Sequence, residues 1–239
     1  AARGNGRSTC MSRPSAINWA SGPVCWKPCN EWVIAFENGT NMTKHFHRDL
    51  ENLQKEILSL SSQVEDMIDS AGRCLFEPNP ELAREVIEAD KQVDQREVMI
   101  EEECLKMLAL HQPVAIDLRR IAAVLKINHD LERIGDLAVS IVQRADCLHQ
   151  RPDFRMPAKL ERMARLATSM VRGTLNAFVD SDVDAAREIC LRDDEVDDIN
   201  REIIDELIAL MKEQPEMVEP AMHCFSATRH LERIADHAT

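Results

Sequence analysis

The chain has 239 residues, of which 44% are hydrophobic and 4% aromatic, and it carries a formal net charge of −13 at pH 7. This acid excess argues against non-specific binding to nucleic acid or anionic lipid, because both need basic patches. No apolar run approaches the roughly 18–20 residues of a membrane span, so the sequence predicts a soluble protein. The eight cysteines fit neither a disulfide framework nor a zinc-ligand spacing, and we interpret them as reduced residues of a cytoplasmic protein.

Residues 1–41 differ in composition from the rest of the chain. They hold all three tryptophans and four of the seven glycines, contain no acid before Glu31 and lack helical periodicity. Two explanations stay open. The segment is a non-native or disordered N-terminal extension, or it is an organelle transit peptide, which would also be basic and poor in acids. We predict that the folded protein begins at Met42.

Prolines divide the remainder into six predicted helices. The first runs from about residue 44 to Gly72, with apolar residues at steps of three and four. The second begins at Pro80 and ends near His111, before Pro113. The others cover about 114–149, about 158–180, from Ser181 or Asp182 to Glu213, and from near Met217 onward. The sixth is still helical at Thr239, which we interpret as a C-terminal truncation.

The two halves of this helical part repeat each other. The pattern D-x-x-V-D at residues 90–94 recurs at 193–197, an offset of 103, and L-E-R-I at residues 131–134 recurs at 231–234, an offset of 100. The difference falls near the proline hairpins, where loops tolerate changes in length. The sequence therefore predicts an all-α fold of two tandem three-helix bundles, residues 42–151 and 152–239.

Acidic pairs four residues apart recur in both halves and lie at matching heights. Asp90 precedes the turn at Gln112 by 22 residues and Glu132 follows it by 20. At a rise of about 1.5 Å per residue the two are level in an antiparallel hairpin. Because each acid follows a core position by one or two residues, we expect shallow surface grooves. The two predicted clusters are Asp90, Asp94, Glu132 and Asp136, and then Asp193, Asp197, Glu232 and Asp236.

Four carboxylates at one level are the oxygen ligands that Mg²⁺, Mn²⁺, Fe²⁺ and Ca²⁺ prefer. Zinc fits less well, because no histidine and cysteine set has its spacing. The alternative is a solvated acidic rim that is balanced by arginines. Those arginines would be Arg96, Arg133, Arg192 and Arg233.

The motif set resembles that of the PhoU family, the accessory proteins of bacterial phosphate transport and phosphate signalling. The resemblance covers about residues 44–239 and rests on E-R-I-G-D at residues 132–136, E-R-I-A-D-H-A-T at 232–239, Q-P-V-A-I-D-L-R at 112–119 and the D-x-x-V-D segments. It implies two three-helix bundles and metal clusters (Fe, Mn, Mg or Zn) on the eight acids named above.

The resemblance also implies a function, which we state as an expectation. The protein would be a negative regulator of the phosphate-starvation response, without enzymatic activity. It would act as a cytoplasmic, homodimeric adaptor between the ATPase subunit of the phosphate ABC transporter and a sensor histidine kinase. It would reach the membrane only through these partners and would not bind nucleic acid.

One departure from the family pattern bears on the first cluster. The family often has Asn or Asp four residues beyond the second acid, and this chain has Ser140 there, which is a weaker oxygen ligand. The matching position of the second repeat lies beyond Thr239.

Two other function classes stay open beside the regulator. A helical scaffold without metal dependence would show the same apolar stripes. A carboxylate-bridged di-iron enzyme would need inward-facing Glu-x-x-His motifs, and no such pair occurs at a matching place here.

Overall fold

The structure is a computed structural model that describes residues 44–180 and 182–239, so the prediction for residues 1–41 lies outside the described residues. Six α-helices occupy nearly all of these two ranges. They are α1 (Lys44–Phe76), α2 (Pro80–His111), α3 (Ile116–His149), α4 (Lys159–Asp180), α5 (Val183–Glu213) and α6 (Val218–His237), with a 3₁₀ turn at Pro215–Met217. None of these helices is long and apolar enough to cross a membrane.

Caps and prolines determine where the helices begin and end. The side chain of Asn79 accepts a hydrogen bond from the backbone N–H of Leu82 at 3.0 Å, just ahead of Pro80 in the first turn of α2. Asp182 caps α5 in the same way, and it is one of the two cap residues that the sequence predicts for this helix. At the other end of α2, Gln112 adopts a left-handed backbone with φ 45°, and Pro113 cannot continue the helix.

Helix α1 is longer than its sequence predicts, because it continues past Gly72 to Phe76. A glycine in a helix costs only about 1 kcal/mol relative to alanine. Burial of Cys74 and Leu75 in the core outweighs that cost. Gly72 also faces the second bundle, where a Cβ added to it would lie 3.5 Å from the Cβ of Ala164. The predicted end at Gly72 was therefore wrong.

The helices form two three-helix bundles, α1–α3 and α4–α6, that pack against each other through α1 on α4 and α3 on α6. The α3–α6 pair is antiparallel. Arg144, late in α3, contacts His223, early in α6, whereas Asp130, earlier in α3, contacts His237 near the end of α6. No strand occurs in residues 44–180 or 182–239. The predicted all-α fold with two three-helix units is confirmed.

A single apolar core runs through both bundles, and it is built from Leu, Ile, Val, Met and Ala at helical spacing. Five cysteines lie in the described ranges, and all five are free. Four of them are buried, which fits the prediction of reduced core thiols. Cys10, Cys25 and Cys29 lie outside the described residues.

Candidate functional site

The first predicted acid cluster is brought together on the groove between α2 and α3. Asp90 and Asp94 lie one turn apart on α2, as do Glu132 and Asp136 on α3. Burial, and then the charges of Asp94, Asp136 and Glu132, raise the pKa of Asp90 from 3.8 to about 6. The carboxylate of Asp90 therefore lies close enough to the other three for their charges to repel it.

Asp90 reaches this cluster because residue 135 of α3 has no side chain. A Cβ added to Gly135 would lie 3.0 Å from Oδ1 of Asp90, closer than ordinary van der Waals contact. That oxygen is shielded from solvent and accepts no hydrogen bond from the described residues. The small residue of the E-R-I-G-D motif thus makes room for a carboxylate oxygen that has no protein partner.

Two further side chains belong to the first cluster, and neither was predicted from the sequence. Glu97 follows Asp94 by three residues on α2, and its charge helps burial and Asp136 to raise the pKa of Glu132. Asn128 precedes Glu132 by one turn on α3 and donates through Nδ2 to the backbone carbonyl of Glu97 at 2.8 Å. Its Oδ1 is buried without a partner. Helical spacing from the predicted acids could have identified both residues.

The second predicted cluster forms between α5 and α6. Burial and the charge of Asp197 are the main causes that raise the pKa of Asp236, and burial and the charge of Asp236 do so for Glu232. Asp193 is half-buried on α5, one turn before Asp197. The structure thus brings Asp197 of α5 to the two acids of α6, as the sequence predicts.

The expectation of shallow sites is wrong for Glu232, which is only 9% exposed. Its carboxylate can be buried because two side chains face it. Arg229 donates through Nη1 to its Oε1, and Nδ2 of Asn200 lies 3.4 Å from the same oxygen. The other oxygen, Oε2, is buried without a hydrogen-bond partner in the described residues.

An arginine outside the four expected from the sequence forms an ion pair in the second cluster. Of those four, Arg233 lies close enough to Asp236 for its charge to favour the carboxylate form. Arg229 forms the ion pair with Glu232. Arg96, one of those four, instead binds Glu56 and Gln63 of α1. In the first cluster the nearest basic group is His129, whose Nδ1 lies 3.9 Å from Oε2 of Glu132.

The chemistry of both clusters fits a hard cation. Their side chains offer only carboxylate and amide oxygens, and each cluster contains buried oxygens without a partner. In the part of the chain that the structure describes, no three acid, histidine or cysteine groups already stand in a ligand geometry. A bound cation would therefore require new rotamers, which exposed side chains such as Asp94 and Asp136 can adopt.

Comparison with known proteins gives the same family for both repeats. The model of the PhoU domain matches residues 57–145 and 160–239. The phosphate-specific transport system accessory protein PhoU homolog of Aquifex aeolicus is 37% identical over 186 residues, which is 78% of this chain and 84% of that protein. The homolog of Deinococcus radiodurans is 35% identical over 82% of this chain and 92% of its own length.

Solved structures agree with the sequence matches. The crystal structure of PhoU from Pseudomonas aeruginosa superposes on this chain with a TM-score of 0.78 at 34% identity. The superposition covers 81% of this chain and 93% of the Pseudomonas chain. The phosphate transport system regulatory protein PhoU from Streptococcus pneumoniae gives a TM-score of 0.75 at 29% identity, over 81% of this chain and 91% of that one. The chain therefore belongs to the PhoU family, as the resemblance of its motifs implies.

Proposed function

We propose that this protein regulates phosphate uptake and represses the phosphate-starvation response, as an adaptor with carboxylate metal sites and no catalytic activity of its own. The observation that carries the proposal is the match to PhoU relatives through both repeats. Those relatives are named accessory proteins of phosphate-specific transport, and one solved neighbour is titled a regulatory protein. An accessory role without chemistry of its own requires surfaces rather than an active site.

Metal ions are part of the proposal. Asp90, Asp94, Glu132 and Asp136 would hold cations in the first repeat, and Asp193, Asp197, Glu232 and Asp236 in the second. A divalent or trivalent ion would supply the positive charge that the repelling carboxylates lack. Iron, manganese and magnesium suit the oxygen ligands, and zinc suits them less well.

The proposed partners follow from the accessory role. The protein would bind the ATPase subunit of the phosphate ABC transporter and a sensor histidine kinase from the cytoplasmic side, as a homodimer. It would reach the membrane through these partners, because no described helix is long and apolar enough to cross it. An acidic chain of net charge −13 has little electrostatic attraction to anionic lipid.

Complementation tests this role. The full chain is expressed in a bacterium that lacks its own PhoU, and alkaline phosphatase is measured in phosphate-rich medium. We expect repression to be restored, and repression to weaken in Glu132→Gln/Asp136→Asn. The control Glu85→Gln/Glu88→Gln removes two exposed charges of α2 outside the groove and should repress like the parent chain. Folded, soluble parent protein that fails to repress would contradict the regulatory proposal.

A further inference from the structure

The side of α2 that points away from the core carries large apolar side chains over its last four turns. Those that are more than half exposed are Val98, Met99, Leu105 and Leu110. Leu110 alone has 78% of its surface in contact with solvent. Clustered apolar side chains on the surface of a soluble protein usually mark a site of interaction. This face of α2 is therefore a candidate contact surface.

The matching face of the second repeat is charged. At the offset of 103 that relates α2 to α5, Glu202 stands in place of Met99 and Glu213 in place of Leu110. Both glutamates are exposed on α5, as their counterparts are on α2. Because both repeats form the same three-helix unit, folding does not require apolar residues at these positions. The apolar character is particular to the first repeat.

Four residues of this face form one stripe along α2, which we call the α2 stripe. They are Met99, Glu103, Lys106 and Leu110, at steps of four, three and four. This is the spacing of a seam between two packed helices. The side chains of Glu103 and Lys106 are 60% and 57% exposed, and Nζ of Lys106 donates to Oε1 of Glu103 at 2.7 Å. The stripe is thus apolar at both ends, with one acid and one base between them.

We propose that the α2 stripe is the contact face of a homodimer, in which two copies of α2 pack antiparallel about a two-fold axis. An axis that crosses the stripe midway between Glu103 and Lys106 places Met99 of one copy against Leu110 of the other. The same axis places Glu103 of each copy against Lys106 of the other. A two-fold symmetric dimer requires a self-complementary surface of this kind. The inference rests on the proposed function for the homodimer and names the face through which the two copies meet.

Charge complementarity favours this arrangement over the other ways of pairing two copies. Parallel packing of two stripes would place Glu103 against Glu103 and Lys106 against Lys106. Packing through the matching residues of α5 would bring together Glu202, Glu206 and Glu213 of both copies. Like charges that face each other across an interface are strongly unfavourable. Antiparallel contact between the two first repeats instead pairs each acid of the stripe with a base.

The α2 stripe lies away from the first acid cluster. Asp94 of that cluster and Met99 of the stripe are five residues apart, which separates them by about 140° around the helix axis. The acids of α2 face the groove to α3, whereas the stripe faces outward. Two copies can therefore meet through the stripe while the proposed metal ligands stay accessible, and changes in the stripe should leave the metal content unaltered.

Sedimentation equilibrium of the full chain tests the contact face. Chelator is present throughout, so that cations cannot bridge the acids of two copies. We expect a monomer–dimer equilibrium whose dissociation constant rises at least about tenfold in Leu110→Asp, because a charge then faces the apolar side chain of Met99. The matched control is Leu191→Asp, which adds the same charge at an apolar residue of α5 that is 68% exposed, and it should associate like the parent.

Exchange of charge tests the register of the two helices. Glu103→Lys and Lys106→Glu each place like charges at both polar contacts of the dimer, so each variant alone should dimerise about tenfold more weakly than the parent. In an equimolar mixture of the two variants, every polar contact again joins an acid and a base. The mixture should therefore form a heterodimer with an affinity close to that of the parent, which also shows that both variants are folded.

Four results would overturn the proposal. They are a parent chain that stays monomeric up to about 100 µM, association that Leu110→Asp leaves unchanged, equal weakening in Leu191→Asp, and a mixture of the two charge variants that remains monomeric. The alkaline phosphatase assay separates this inference from the regulatory role. A monomeric parent chain that still represses would overturn the homodimer alone, whereas a dimer with the expected variants that fails to repress would contradict the regulatory role alone.

Discussion

The two acid clusters share a motif but differ in the groups around it. His129 of the first repeat is replaced by Arg229 in the second at an offset of 100, and Glu97 is replaced by Asn200 at an offset of 103. The first cluster thus has one acid more, and its basic neighbour is a histidine at 3.9 Å rather than an arginine bound to a carboxylate. The repeated sequence motif therefore does not produce two equivalent sites.

The two clusters differ in the groups that balance their negative charge. In the second cluster Arg229 neutralises part of the charge, and Asn200 contacts the buried carboxylate of Glu232. In the first cluster the basic neighbour is the more distant His129, and burial together with three acid charges raises the pKa of Asp90 to about 6. We therefore expect the first cluster to depend on an external cation more than the second does.

The largest expected effect is stabilisation by metal. A divalent cation at 100 times its dissociation constant stabilises the folded state by about 2.7 kcal/mol. Mn²⁺ or Mg²⁺ should therefore raise the melting temperature of chelator-treated protein, and Glu132→Gln/Asp136→Asn should remove more of the rise than Glu232→Gln/Asp236→Asn. Thermal melts together with the metal content of each variant measure this. No shift at millimolar cation, or equal metal in parent and first-cluster variant, would contradict the assignment.

The next effect concerns the arginine that is particular to the second cluster. Arg229→Gln leaves the carboxylate of Glu232 buried with only the contact to Asn200. Because Arg229 is 45% exposed, we expect a loss of about 2 kcal/mol in the free energy of unfolding, which is below the roughly 3–5 kcal/mol for breaking a fully buried pair. Urea denaturation measures it.

The corresponding change in the first cluster is His129→Gln, and it serves as the control. Glu132 is more exposed than Glu232, and its imidazole neighbour is distant, so the cost should stay within about 0.5 kcal/mol. Equal losses in the two variants would mean that the clusters do not differ in how their charge is balanced.

The raised pKa of Asp90 should make the stability of the first cluster depend on pH. This pKa is about 6 in the folded chain, whereas its ordinary value is 3.8. Between these values the folded state binds more protons than the unfolded state. The free energy of unfolding of metal-free protein should therefore fall as pH rises from about 4 to 7, by about 1–2 kcal/mol from Asp90 after solvent screening. Urea titrations at several pH values measure the slope. Asp90→Asn should reduce the slope, and the part that remains comes from Glu132, Glu232 and Asp236, whose pKa values are also raised. Glu85→Gln should leave the slope unchanged, and an equal slope in Asp90→Asn and the parent chain would contradict the assignment.

The fold was predictable because its signals are local and repeated. Prolines and caps mark most helix ends, and the two copies of the motif indicate two similar units. The end of α1 was not predictable from Gly72, because it is decided by the burial of Cys74 and Leu75, which depends on how the helices pack. Periodicity also cannot tell which helices of the two bundles meet, so the packing of α3 against α6 could be found only from the structure.

The candidate site was predictable only in part. Helical spacing and distance from the turn were enough to bring the acids of each cluster together. Arg229 and Asn200 were missed because they differ from their counterparts in the first repeat, and a search for repeated residues passes over such positions. The close approach of Asp90 to Gly135 depends on the distance between α2 and α3, which no spacing in the sequence specifies.

The smallest expected effect concerns the close approach of Asp90 to Gly135. It can be tested by exchanging glycine and alanine at two positions that match in the repeats, Gly135 and Ala235. Ala235→Gly should cost about 1 kcal/mol, because it lowers helix propensity at a buried position of α6. In Gly135→Ala the gain in propensity is of similar size, but the new methyl group must displace the carboxylate of Asp90. We expect the two terms to cancel to within about 0.5 kcal/mol in metal-free protein, as measured by urea denaturation. If Gly135→Ala stabilised the chain by the full propensity difference, Asp90 would be free to move aside, and the glycine would have no part in positioning it.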